Sequence, residues 1–92
     1  MVIEHYKDND PKPVYQRFSQ RGRMMPDGLN YVNSWIEVGK GRCFQVMETS
    51  DPSLLQEWIN NWNDLVDFEV IPVLTSAETS RIFKNSENEM PF

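Results

Sequence analysis

The chain has 92 residues, of which 39% are hydrophobic and 12% aromatic, with a formal net charge of −5. This composition is typical of one small globular domain, and a chain this short buries only about 60–65% of its unfolded surface. The acidic balance argues against nucleic acid and anionic membranes as partners, because both require clustered Lys and Arg side chains.

The first part of the chain predicts a strand, a helix and a second strand. Residues 1–6 are rich in the β-branched and aromatic residues typical of strands. Asp10 can cap a helix whose first turn accepts the following prolines, and Gly22 can end it. The segment MPDG predicts a turn with proline in its second position and glycine in its fourth. A strand is expected from about Leu29 to Val38.

A hairpin and a second helix follow. The loop GKG at 39–41 has glycines that can adopt positive φ, and it leads into a strand over about 42–48. Asp51 predicts a helix N-cap, with proline in the first position. The apolar face of this helix consists of Leu54, Leu55, Trp58, Ile59 and Trp62. We interpret the two tryptophans as core residues, with a ligand-pocket wall or a dimer contact as the alternatives.

The last elements are a strand and a short helix. The segment 64–74 predicts a strand that is at an edge of the sheet or bends at Pro72, since proline cannot donate a ladder hydrogen bond. Thr75 and Glu78 form a capping-box pattern that opens a helix to about Lys84. The polar tail, 85–92, is expected to be frayed.

This order of elements predicts an α+β fold over residues 1–84. A four-stranded antiparallel sheet with two helices on one face, the ferredoxin-like βαββαβ arrangement, accommodates it, with a short C-terminal helix added. The other sheet face then needs a cover, and a second copy packed face to face would supply it. Such a homodimer would enclose a space in which polar strand residues are tolerated. The strand residues that we expect to face this space are Tyr31, Asn33, Trp35, Glu37 and Gln45.

Several segments carry a resemblance to a known family. They are Pro26–Gly28, Ser34–Trp35, GRCFQVMETSDP at 41–52 and WNDLVDFEVIPVL at 62–74. The chain resembles a family of small bacterial domains of unknown function, which is similar to the dimeric α+β barrel superfamily of ferredoxin-like protomers paired sheet to sheet. Members of that superfamily include cofactor-independent oxygenases, lactone isomerases, haem-handling enzymes and stress-responsive proteins. In the family the strand-two tryptophan is often followed by His, but here Ile36 follows it.

Few residues offer catalytic chemistry. His5 is the only histidine and a candidate base. Glu4 and His5 face opposite sides of strand one, and the sequence leaves open which of them meets a cavity. Glu37 and Glu48 are carboxylates on the hairpin strands, too far apart to form a pair. The single cysteine, Cys43, excludes an intrachain disulfide and is interpreted as a small buried apolar residue.

These patterns favour a homodimeric domain that binds a small, largely apolar molecule. The expected ligand-binding residues are Tyr6, Trp35, Glu37, Phe44 and Trp58, and the candidate catalytic residues are His5 and Glu48. Cofactor-independent oxygenation or isomerisation by proton transfer would suit the site. The alternative is a non-enzymatic dimerisation or interaction module. No metal ligand spacing and no phosphate loop are present, so no cofactor is expected.

Two further expectations concern location and charge. The start of the chain lacks the signal-peptide pattern, and no apolar run reaches the roughly 20 residues of a membrane span, so we expect a cytoplasmic protein. The segment QRFSQRGR holds Arg17, Arg21 and Arg23. These arginines are interpreted as a solvated helix end, with an anion site as the alternative.

Overall fold

The computed structural model describes residues 1–85, so the predicted tail at 85–92 lies outside the described residues except for Asn85, which ends the last helix. Within this range the chain is α+β, with a four-stranded antiparallel sheet in the order β2-β3-β1-β4, compatible with a ferredoxin-like fold. The elements are β1 (Val2–Tyr6), a 3₁₀ turn (Lys7–Asn9), α1 (Lys12–Arg21), β2 (Asn30–Ile36), β3 (Arg42–Glu48), α2 (Pro52–Asn60), β4 (Val66–Val70) and α3 (Ser76–Asn85). The predicted order of elements is confirmed.

The helix ends lie at, or within one residue of, the predicted positions; α1 begins at Lys12, with Pro11 instead of Asp10 in the N-cap position. Asp10 Oδ1 accepts a hydrogen bond from the main-chain nitrogen two residues ahead (3.0 Å), and Gly22 ends α1 with a φ of 66°. Asp51 Oδ1 accepts from the main chain of the first turn of α2 at 3.0 Å. The Glu78 main-chain nitrogen donates to Thr75 Oγ1 at 3.0 Å, which completes the capping box before α3. Side-chain acceptors thus satisfy helix N–H groups that would otherwise lack partners.

β2 contains an irregularity that corrects the predicted facing of its side chains. The register with β3 shifts between Tyr31 and Asn33. A bulge places an extra residue in one strand, and alternation is interrupted there. Tyr31 therefore does not share a face with Asn33 and Trp35; its hydroxyl lies 2.7 Å from Ser34 Oγ. The predicted row of Tyr31, Asn33, Trp35 and Glu37 on one side was wrong at its first member.

Two connections also differ in detail from the prediction. The Leu29 main-chain nitrogen donates to the Pro26 carbonyl at 3.2 Å, so proline is the first residue of that turn and Gly28, with a φ of 93°, is the third. In the β2–β3 loop the positive φ, 63°, belongs to Lys40 and not to either neighbouring glycine.

β4 occupies an edge of the sheet, as Pro72 predicts, but it ends at Val70, earlier than expected. An edge position tolerates a residue that cannot join the hydrogen-bond ladder. None of the helices within residues 1–85 is long and apolar enough to cross a bilayer.

The core lies between the sheet and its helices. One cluster of buried residues comprises Val2, Leu29, Trp58 and Trp62, and a second comprises Tyr6, Cys43 and Val66. Val14 of α1 and Phe68 of β4 pack against both clusters. Alternation along β1 buries every second side chain beneath the helices. We call the opposite side of the sheet, which carries Ile3, His5, Trp35, Arg42 and Phe44, the outer face.

Candidate functional site

A cavity of about 140 Å³ lies on the helix-covered side of the sheet. Side chains from β1, β2, β3, α1, α2 and the loops that follow the helices form its walls. The lining residues are Glu4, Tyr6, Val14, Tyr15, Phe18, Arg23, Ser34, Ile36, Cys43, Gln45, Trp58 and Trp62. Five of these side chains are aromatic, and the polar ones are few, which is the usual character of a small-molecule site.

Glu4 places a carboxyl group inside this cavity. It lies in the middle of β1, is only 7% exposed, and pairs with Cys43 on β3 and Phe68 on β4. Burial raises the pKa of the Glu4 carboxyl, because a charged carboxylate is poorly solvated there. A hydrogen bond with Cys43 and the positive charge of Arg23 oppose that rise. The cavity therefore holds a carboxyl group that is harder to ionise than a carboxyl in water.

Cys43 and Tyr6 are the neighbours of this carboxyl. Burial, followed by the charge of Glu4, raises the pKa of the Cys43 thiol to about 12. Burial also raises the pKa of Tyr6. A nucleophilic cysteine needs a lowered pKa, so the thiol here acts as a neutral, weakly polar wall. This agrees with the interpretation of Cys43 as a buried apolar residue.

Two indole groups line the cavity and share one hydrogen-bond acceptor. Trp58 Nε1 and Trp62 Nε1 both donate to the main-chain carbonyl of Arg23 at 2.9 Å. The Trp58 ring also meets Phe68 edge to face, with centroids 5.4 Å apart. Both tryptophans are therefore core residues, as interpreted from the sequence, and they also line the cavity.

Arg23 contributes the positive charge of the site. Its guanidinium carbon lies 3.7 Å from the centroid of the Tyr31 ring and 5.1 Å from that of Phe18. Stacking on aromatic rings orients a guanidinium while leaving the N–H groups at its edge available. No carboxylate of residues 1–85 lies within ion-pair distance of it.

The outer face carries a different group of residues. Trp35, Phe44 and Ile3 lie side by side on β2, β3 and β1 and form an apolar row. Beside it Arg42 contacts Glu37 at 2.6 Å. His5 Nε2 lies 3.9 Å from a carboxylate oxygen of Glu69. The hydrogen bond from Arg42 lowers the pKa of Glu37.

The structure divides the residues expected to bind a ligand between these two sites. Tyr6 and Trp58 line the cavity. Trp35, Phe44 and Glu37 lie on the outer face together with the candidate base His5. The other catalytic candidate, Glu48, is exposed at the end of β3, opposite Asn30.

The sequence left open whether Glu4 or His5 meets a cavity, and in the structure it is Glu4 that lines one. Alternation from Val2 and Tyr6, both apolar and both buried, is the sequence signal that could have assigned it. In the sequence, Arg23 stood out only as one of three arginines in the basic segment QRFSQRGR. Its place in the cavity depends on how the chain turns after α1, and no local pattern encodes that.

Comparison with known proteins identifies the family. The model of the family described as a domain of unknown function (DUF3303) matches residues 1–87, and the chain belongs to that family. No curated protein and no solved structure matches the chain. Within residues 1–85 no group of three or more His, Cys, Asp and Glu side chains is arranged to hold a metal ion.

Proposed function

We propose that this domain binds a small, largely apolar molecule in the cavity between the sheet and its helices. The observation that carries the proposal is Glu4, a carboxyl that is 7% exposed and directed into a pocket with aromatic walls. A buried carboxyl is costly to a fold unless it has partners, and a pocket with a few placed polar groups is the usual form of a ligand site.

The volume of the cavity indicates the size of the part of a ligand that it can enclose. A volume of about 140 Å³ accommodates a molecule close to one six-membered ring; a dry apolar cavity of about 150 Å³ in another protein binds benzene. The rings of Phe18, Trp58 and Trp62 provide flat apolar surfaces for such a molecule. The carboxyl of Glu4 provides a hydrogen-bonding group that would select a ligand with a polar substituent.

Glu4 is also the group that would transfer a proton if the domain is an isomerase or a cofactor-independent oxygenase. A general acid or base works best when its pKa lies near the working pH, and burial raises the pKa of Glu4 toward that range. The thiol of Cys43 and the phenol of Tyr6 hold their protons too tightly to act as bases near neutral pH.

A pair of neighbouring variants tests the proposal. Small cyclic fragments would be screened by two-dimensional NMR against the wild-type protein, Glu4→Gln and His5→Gln. We expect fragments to shift the indole signals of Trp58 and Trp62, and Glu4→Gln to change the affinity for polar fragments by about 3- to 30-fold. His5→Gln is the matched control, since His5 lies one residue away on the outer face. The proposal fails if no fragment perturbs cavity residues.

We further propose that the outer face pairs with a second copy of the chain. Trp35 remains 54% exposed on this face, beside Phe44 and Ile3. Charged groups of both signs surround this row, with Glu37 and Asp67 beside Lys7 and Arg42. Although the chain has a net charge of −5, part of the acidic charge on this face is paired within the chain, Glu37 with Arg42 and Asp67 with Lys7, which lessens repulsion between two copies.

Sedimentation measures this association directly. We expect a species of twice the 10.9 kDa chain mass at micromolar concentration and a monomer after Trp35→Asp. Val38→Asp is the matched control, since Val38 is 97% exposed in the β2–β3 loop beyond the sheet. A dimer that binds none of the fragments would instead favour an interaction module, and a wild-type monomer would exclude pairing through this face.

A further inference from the structure

We infer that the ligand of the cavity carries a carboxylate and that Arg23 binds it, so that the preferred ligand is a single-ring aromatic acid. This inference rests on the proposed binding function and adds the chemical class of the ligand. It starts from the one guanidinium that lines the cavity and from what its N–H groups contact.

Within residues 1–85, the guanidinium N–H groups of Arg23 have no acceptor among the ion pairs and hydrogen bonds of the structure. The ion pairs of residues 1–85 join Lys7 to Asp67, Arg17 to Asp64 and Arg42 to Glu37, and His5 lies 3.9 Å from Glu69. None of these contacts includes Arg23. Among the hydrogen bonds of the same residues, only its main-chain carbonyl takes part, as an acceptor. The guanidinium fork therefore remains available for a planar anion, the partner whose geometry it matches best.

Arg17, from the same basic segment, shows the contrasting case. Its two terminal nitrogens bind the two carboxylate oxygens of Asp64 at 2.7 Å each. That arginine is satisfied within the chain and connects α1 to the segment after α2. Arg21, the third member, is an exposed residue at the end of α1. The anion-site alternative for this basic segment thus concerns Arg23 alone.

Arg23 is also held in position before any ligand binds. The indole groups of Trp58 and Trp62 fix its main-chain carbonyl, each at 2.9 Å. The rings of Tyr31 and Phe18 support its guanidinium at 3.7 and 5.1 Å. A side chain restrained at both ends loses little conformational freedom on binding, which strengthens the affinity for an anion.

The charge of Arg23 already acts on the cavity. It lowers the pKa of Glu4 and of Cys43, against the larger effect of burial. A carboxylate bound at Arg23 would cancel this influence and add its own negative charge. The titratable and charged groups that line the cavity with Glu4 are Cys43 on β3, Tyr6 on β1, Tyr15 on α1 and Arg23 itself. Binding of an acid should therefore favour protonated Glu4 and be stronger at lower pH while the ligand stays ionised.

Benzoate and benzamide provide the test, since they have nearly the same shape and differ in charge. Their dissociation constants would be measured by NMR titration for the wild-type protein, Arg23→Gln and Arg21→Gln. We expect benzoate to bind the wild type about 10- to 100-fold more tightly than benzamide, and Arg23→Gln to remove that preference. Arg21→Gln removes the same charge from the same segment, and we expect it to leave the preference unchanged.

The outcomes separate the two proposals. Equal binding of benzoate and benzamide to the wild type, or a preference for benzoate that survives Arg23→Gln, overturns the carboxylate inference while leaving a binding cavity. Absence of binding by every fragment, neutral or charged, overturns the proposed function and the inference with it. The comparison of the two probes on the wild type requires no variant to fold.

Discussion

Glu4 and Cys43 are paired across β1 and β3, and both side chains are buried on the helix-covered face of the sheet. Burial raises the pKa of both groups, and the carboxyl raises that of the thiol further. Two potentially reactive groups thus lie side by side, each with a pKa above its ordinary value. This pairing makes both groups harder to ionise than they are in water, which has consequences for stability and reactivity.

The first prediction concerns Glu4→Gln and pH. Because the pKa of Glu4 is raised on folding, the folded state holds its proton to higher pH than the unfolded state does. The contribution of this group is therefore complete below its ordinary pKa of 4.5 and is lost as pH rises through the folded value. The wild type should lose at most about 1.4 kcal/mol per pH unit in that window relative to Glu4→Gln.

Urea unfolding of both proteins over a pH series measures this difference, and groups common to both cancel in the comparison. The Gln variant should gain stability relative to the wild type as pH rises above 4.5, and the difference should level off at higher pH. A difference that does not change with pH would mean that the pKa of Glu4 is the same in the folded and unfolded states.

The second prediction is that the Cys43 thiol is unreactive in the folded protein. With a pKa of about 12 and 4% exposure, it has a very small thiolate fraction near pH 8 and little access to reagents. Alkylation by iodoacetamide should be at least about 1,000-fold slower than in the urea-unfolded chain, since the thiolate population falls tenfold per pKa unit. Reaction at the rate of the unfolded chain would contradict the burial of this group.

The fold was largely predictable because its signals are local. Asp51 followed by proline, and Thr75 with Glu78, fix helix starts through hydrogen bonds that lie within a few residues. The order of strands follows from the chirality and length of the connections. The bulge between Tyr31 and Asn33 was not predictable, because a single extra residue in a strand leaves no compositional trace.

The site was less predictable because it depends on which strand face meets the helices. Trp35, Phe44 and Glu37 have the residue types of a pocket, yet a shift of one position moves a strand residue to the other face. Glu4 and His5 are successive residues of β1, so their side chains lie on opposite faces of the sheet. Arg23 enters the cavity through a turn after α1, and long-range hydrogen bonds from Trp58 and Trp62 determine its position.

The third prediction is that Trp58 and Trp62 are energetically coupled through the carbonyl of Arg23. Each indole donates to the same oxygen, so Trp58→Phe or Trp62→Phe alone leaves that oxygen with one donor. The double variant removes both donors and should cost at least about 0.5 kcal/mol more than the sum of the single variants. A double-mutant cycle from urea unfolding measures this value. Trp58→Phe combined with Trp35→Phe, on the outer face, is the control pair and should be additive.

The last prediction concerns two glycines in different backbone conformations. Gly28 has a φ of 93°, and a Cβ added there would lie 2.9 Å from Leu54 Cδ1 of α2. Gly28→Ala should therefore cost roughly 1–3 kcal/mol, from the unfavourable φ and from displacement of a core leucine. Gly39→Ala is the control, because Gly39 has no atom within 4 Å of the added Cβ and no positive φ, and its effect should stay within about 0.5 kcal/mol. Equal stabilities of the two variants in urea would mean that the turn before β2 does not require glycine.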